Sequence, residues 1–161
     1  MIKILTTGGT IDKIYFDATS EYEIGEPTIP HIFNEVGVHV DYELISLMRK
    51  DSLELNDDDR ALIRKSCEES KQDEILITHG TDTMCETAEY LMGIEGKTIV
   101  ITGALSPARF RITDAVFNLG LAMGAAQSKG SGVYIAMSGE LFEAGKVWKN
   151  RKAGKFEKTP A

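Results

Sequence analysis

Short apolar runs, each rich in β-branched residues and each stopping at a turn signal, recur along the chain at Ile2–Thr7, Leu44–Leu47, Ile75–Thr78, Thr98–Thr102 and Val133–Met137. They are continuous rather than alternating, which predicts strands buried on both faces of a parallel sheet. Between them the apolar positions fall at helical spacing. Pro30–Val36 predicts a short helix, and Asn56–Ser70, Asp82–Met92 and Thr113–Gln127 predict longer ones. Asn56 followed by Asp57-Asp58-Asp59 supplies a cap and negative charge at the positive end of a helix dipole. Strand–helix alternation of this kind predicts an α/β fold: an open, mostly parallel sheet with helices on both faces, in three layers of the Rossmann or flavodoxin kind. Asp12–Glu26 fits no element and reads either as an ordinary surface loop or as an irregular, flexible lid spanning about residues 12–27. The tail from Lys149 is polar and basic, with frayed last residues expected.

The 161 residues suffice for one domain with a real core, so a single domain over residues 1–161 is expected. Net charge is −7, which opposes binding to nucleic acid through phosphates. No apolar stretch approaches the roughly 20 residues needed to span a bilayer, so no membrane partner is expected. Met1-Ile2-Lys3 leads straight into a strand, with no sign of a signal peptide. Cys67 and Cys85 sit in predicted helices without CxxC spacing and read as free thiols of a reducing compartment, the cytoplasm. His31, His39 and His79 lack ligand spacing, so no metal site is expected.

Two Gly/Thr turns carry the candidate chemistry. Thr7-Gly8-Gly9-Thr10 ends the first strand and His79-Gly80-Thr81-Asp82 ends the third. In open α/β sheets, ligands bind beyond the carboxyl ends of strands, where both turns fall. Gly8-Gly9 allows close backbone approach to a ligand, and the amides that follow suit an oxyanion. The Thr10 hydroxyl needs a base to become a nucleophile. The run lacks both P-loop and G-x-G-x-x-G spacing, which argues against nucleotides. Asp82 reads either as a helix cap or as a carboxylate for a substrate ammonium. His79 reads as a base or as a hydrogen-bonded structural histidine. Asp51-Ser52 reads as a loop or as a donor to a substrate carboxylate. Lys149 is a solvated lysine or, if desolvated beside Thr81, a base.

These residues together resemble the bacterial-type L-asparaginase family, whose members hydrolyse asparagine to aspartate and ammonia. The resemblance rests on Leu5-Thr6-Thr7-Gly8-Gly9-Thr10-Ile11 and on Ile77-Thr78-His79-Gly80-Thr81-Asp82-Thr83-Met84. It extends through Ser20–Gly25, Asp51-Ser52, Val100–Ala104, Asp114 with Phe117-Asn118-Leu119, and Val147-Trp148-Lys149. The resemblance implies that Thr10 is the primary nucleophile, assisted by a lid tyrosine, Tyr22. It implies a second triad of Thr81, Lys149 and Asp82. It places Ser52 and Asp82 on the substrate's carboxylate and amino groups, with Gly9, Asp51, Gly80 and Thr81 lining the site. The backbone amides of Thr10 and Thr81 are the implied oxyanion donors. No metal and no organic cofactor are implied.

The family's smaller C-terminal domain has no counterpart here, nor does the acidic residue that it lends across a dimer. A short single-domain member is therefore expected, assembled as a homodimer or a higher homo-oligomer. The expected function is hydrolysis of L-asparagine, a small-molecule substrate. Two alternatives share the motifs: a partner-dependent amidase subunit of a tRNA amidotransferase, and a catalytically inactive amino-acid-binding module.

Overall fold

The computed structural model describes residues 1–161. The first strand, β1 (Ile2–Gly8), is buried along its whole length, as a run of apolar and β-branched residues requires when helices cover both faces. A hairpin of β2 (Lys13–Phe16) and β3 (Glu21–Ile24) follows, then α1 (Ile29–Val36). The chain continues through β4 (Tyr42–Lys50), α2 (Asp57–Glu68), β5 (Glu74–Thr78), α3 (Met84–Tyr90), β6 (Thr98–Thr102) and α4 (Ala115–Ser128). It ends with β7 (Gly132–Met137), β8 (Glu140–Glu143), β9 (Val147–Asn150) and β10 (Lys155–Lys158).

The central sheet has the order β4-β1-β5-β6-β7-β8. All its pairings are parallel except β7 with β8. Neighbouring residues on each strand serve opposite cores, as the two-residue period demands. Leu5, Ile77, Ile101 and Ile135 pack with Ile63 of α2 and Met84 of α3. Ile4, Leu76 and Val100 pack on the other side with Phe33 of α1 and Leu119 of α4. The expected three-layer α/β arrangement is therefore observed. Truncating a fully buried residue such as Leu76 to Ala should cost about 2–5 kcal/mol.

Local rules set the helix ends. Asn56 and Asp59 form a reciprocal capping box, each side chain accepting from the other's backbone N–H. Gly37, at φ 71°, closes α1 in the left-handed conformation.

Three expectations need correction. The segment Asp12–Glu26, read as irregular, forms the β2–β3 hairpin, with Lys13 opposite Ile24 and Phe16 opposite Glu21. The signal was there but short: Ile14-Tyr15-Phe16 is a β-branched and aromatic run, and Glu21-Tyr22-Glu23-Ile24 alternates with period two. The tail from Lys149, read only as polar and basic, is structured through Lys158: β9 and β10 form a separate antiparallel ribbon, anchored in the core by Val147 and Phe156, and only Thr159–Ala161 lie past its end, outside any element. The helix expected from Asp82 begins instead at Met84, with Thr83 as its flanking residue.

Candidate active site

The strand order creates the crevice. From β1 the chain crosses to β4 on one side, and from β4 it returns past β1 to β5 on the other. A crevice opens where connections leave in opposite directions. The turns carrying Thr10 and Thr81 follow β1 and β5, which are adjacent.

These turns touch backbone to backbone. Gly9 has φ 87°, and a Cβ there would stand 2.5 Å from the Gly80 nitrogen. A Cβ on Gly80 would stand 2.7 Å from that of Ser52. Only glycine fits either position, and Gly9 also needs a backbone region that L side chains rarely adopt. Thr7 Oγ1 donates to the Thr78 carbonyl at 2.9 Å, tying the strand ends together beneath the turns. Beyond them, the N–H groups of Thr10 and Thr81 donate to no backbone carbonyl. Such N–H groups seek an acceptor, which an oxyanion can supply.

Lys149 arrives on β9. Its Nζ donates to Thr81 Oγ1 at 2.7 Å and to Asp82 Oδ1 at 2.7 Å. The lysine side chain is only 13% exposed, so the contact sits largely out of water. Hydrogen bonding to Lys149 holds the Asp82 carboxyl below the usual carboxylate range. Asp82 is thus a lysine partner rather than a helix cap. Since Lys149 donates to Thr81, the threonine keeps its own hydroxyl proton for a further bond.

Ser52 is buried against the same turn. Its Oγ accepts from the Thr83 N–H at 3.3 Å, and its carbonyl accepts from Thr83 Oγ1 at 2.7 Å. Asp51 accepts from the Leu53 N–H at 3.0 Å and faces Lys13 at 3.8 Å. Thr10 is half-buried at the start of a 3-10 turn that runs to Asp12. Tyr22 lies on β3, 53% exposed, against Tyr15 and Phe110 at ring-centroid distances of 5.5 and 5.9 Å. Its hydroxyl makes no hydrogen bond to Thr10. The structure therefore brings Thr81, Asp82 and Lys149 together, sets Gly9 on Gly80, and leaves Tyr22 on the outer arm.

His79 is structural. It is fully buried, and its Nδ1 meets the Gly80 carbonyl at 2.6 Å. A carbonyl only accepts, so Nδ1 carries the proton and Nε2 accepts from Thr87 Oγ1 at 2.8 Å. Burial pulls its pKa down to about 4, which keeps the ring neutral. Sequence reasoning missed Arg151, which donates to the Asp82 carbonyl at 3.4 Å. No sequence signal marked it, because Arg151 stands in the turn just past the end of β9.

Residues 1–156 match the family described as Asparaginase, N-terminal. The chain belongs to that family. It is 33% identical to L-asparaginase 2 of Escherichia coli over 92% of this chain and 46% of that protein. It is likewise 33% identical, over 92% of this chain and 46% of that one, to a probable periplasmic L-asparaginase of Haemophilus influenzae. The thermostable L-asparaginase from Thermococcus kodakarensis superposes with a TM-score of 0.83 at 25% identity, covering 98% of this chain and 50% of that one. The chain thus spans about half the length of the relatives it matches.

Proposed function

We propose that this chain hydrolyses L-asparagine to L-aspartate and ammonia. The observation that carries the reading is the single Lys149 ammonium bonded to both Thr81 and Asp82, beside the Gly9–Gly80 contact that brings Thr10 alongside. The substrate's side-chain amide lies between Thr10 and Thr81. The Thr10 oxygen attacks the carbonyl carbon, and its proton passes to the departing ammonia. The tetrahedral oxyanion is held by the Thr10 and Thr81 N–H groups. Water then attacks the acyl-enzyme, with Lys149 and Thr81 relaying its proton, and aspartate leaves as Thr10 regains its hydrogen. Ser52 holds the α-carboxylate, and Asp82, kept ionised by Lys149, holds the α-ammonium. Asp51 supports Ser52 from the neighbouring position. Tyr22 assists Thr10 once the β2–β3 arm, the lid of this reading, swings inward.

Residues 1–161 act as the catalytic domain, in a homodimer that covers the exposed arm. Neither nucleic acid nor membrane takes part. The unpaired thiols Cys67 and Cys85 favour the cytoplasm. Cell fractionation tests that placement against the periplasm.

The deciding experiment is steady-state ammonia release from L-asparagine and L-glutamine by purified protein. Thr10→Ala should abolish release while leaving the circular dichroism spectrum unchanged. Lys149→Ala should lower kcat by at least about tenfold, roughly 1.4 kcal/mol of barrier. A smaller loss makes Lys149 peripheral. Asparagine binding without ammonia release from the protein alone would overturn this reading.

A further inference from the structure

The arm that carries Tyr22 has an unusual root. Asp12 ends the 3-10 turn that begins at Thr10, and it immediately precedes β2. Its side chain is 2% exposed by residue. One carboxylate oxygen accepts from the Thr28 N–H at 2.9 Å and from Thr28 Oγ1 at 2.8 Å. Its carbonyl accepts from the Gly25 N–H at 2.8 Å. Asp12 therefore bonds to residues on the far side of the hairpin, both just past its last pair, Lys13 with Ile24. A single residue closes the loop of chain that forms the arm.

A second connection leads back to the same place. The Ile11 carbonyl accepts from the Ala108 N–H at 3.0 Å, which ties the Thr10 turn to the segment between β6 and α4. That segment is braced by Asp114, which accepts from Leu105 N–H at 2.9 Å and Ser106 N–H at 3.0 Å. Phe110, from the same segment, meets Tyr22 of the arm. The path from the Thr10 turn through Asp12, the arm, Tyr22, Phe110 and Ala108 returns to Ile11. Asp12 is the buried charged member of this ring.

A residue kept for stability alone has little reason to be a buried carboxylate. Burial of a polar, ionisable group is costly, and an apolar side chain fills such a place at less expense. Burial indeed raises the Asp12 carboxyl above its ordinary range, against the bonds from Thr28. What the side chain gains is two directed bonds between the nucleophile's turn and Thr28 at the start of α1, where the chain returns from the arm.

We infer that Asp12 is a positioning residue for Thr10: its bonds to Thr28, at the start of α1, clamp both roots of the Tyr22 arm to the Thr10 turn so that they move as one body. The inference rests on the proposed asparagine hydrolysis. The groups proposed to hold the two ends of the substrate, Ser52 and Asp82, stand on other segments. Loosening Asp12 should therefore disturb attack by Thr10 more than it disturbs binding. Small misplacements of a reacting group cost orders of magnitude in rate.

The test compares Asp12→Ala, Asp12→Asn and Thr28→Val by asparagine kinetics and by amide hydrogen exchange. Asp12→Ala should lower kcat by about tenfold or more while KM changes by less than about threefold. Asp12→Asn keeps an acceptor for Thr28 and should restore kcat to within about threefold of the parent. Thr28→Val removes the hydroxyl partner and should follow Asp12→Ala in the same direction, which keeps the test open if Asp12→Ala does not fold. In the impaired variants, exchange should quicken over residues 13–28 and stay unchanged in β5 and β6. Unchanged kcat in folded Asp12→Ala overturns the inference. So does a rise in exchange spread evenly over β5 and β6 with unchanged kinetics, which marks a plain structural brace. If the parent protein releases no ammonia, the proposed function fails by itself. The exchange arm then decides alone: a local rise over 13–28, reversed in Asp12→Asn, supports the coupling, and its absence overturns it.

Discussion

His79 stands in the middle of the second Gly/Thr turn, yet both its ring nitrogens are committed to neighbours. Its chemistry is spent on holding the Gly80 carbonyl. That has a cost at low pH. An unfolded chain binds a proton on this ring near pH 6.5, and the folded chain only near 4. Between these values the unfolded state holds more protons, so stability falls as pH is lowered through that window. The full shift corresponds to about 3 kcal/mol. Urea unfolding of the parent at pH 7 and pH 4.5 should show this loss, and His79→Gln should show a smaller one. Equal losses in the two proteins would rule out His79 as the source. The residue types of the site were legible in the sequence, because Gly8-Gly9-Thr10 and Gly80-Thr81-Asp82 stand at strand ends. Which atoms they bond was not. An aspartate just before a helix is ordinarily a cap; the resemblance implied its grouping with Lys149, and the fold shows the bond. Spacing along the chain cannot express a contact between residues 67 positions apart.

At the scale of elements, burial decided what could be read. Strands β5 and β6 are buried on nearly every residue and stood out as apolar runs. The β2–β3 arm and the β9–β10 ribbon have strands of four residues and are not buried throughout, so neither carries an apolar run as long as those of β5 and β6. The ribbon nevertheless matters, since β9 carries Lys149. It is fastened through Val147 and through Phe156, whose ring lies 6.5 Å from that of Phe142. Phe156→Ala should cost about 3 kcal/mol or more. It should also loosen Lys149 and lower asparagine turnover beyond any loss of folded protein. Ammonia release per folded molecule, with the folded fraction taken from a urea curve, measures this. Unchanged specific turnover would mean that the ribbon holds its place without Phe156.

Over the whole molecule, stability is graded from centre to rim. β1, β5 and β6 are covered by helices on both faces and flanked by strands on both edges. Their amides should exchange only through global unfolding, whereas those of the exposed β2–β3 arm should exchange by local opening. Native-state hydrogen exchange checks this directly. Protection of the arm equal to that of β5 would contradict the gradient. The gradient leaves the two threonine turns on the rigid centre and the exposed arm at the rim.

The contact of Gly9 with Gly80, and of Gly80 with Ser52, bears on how such a protein can diversify. At Gly9 the obstructing atoms are backbone atoms, so no change of side chain elsewhere can make room for a Cβ there. Gly80 faces the Cβ and the backbone nitrogen of Ser52, which leaves almost as little freedom. Compensating mutations are therefore closed to these turns, and drift in one cannot be repaired by drift in the other. Substitution is free away from the joint, as in the exposed arm and in the segment between β6 and α4, where side chains can change without touching it. Inheritance fixes the hinge-work of the site and leaves its outer walls open to selection.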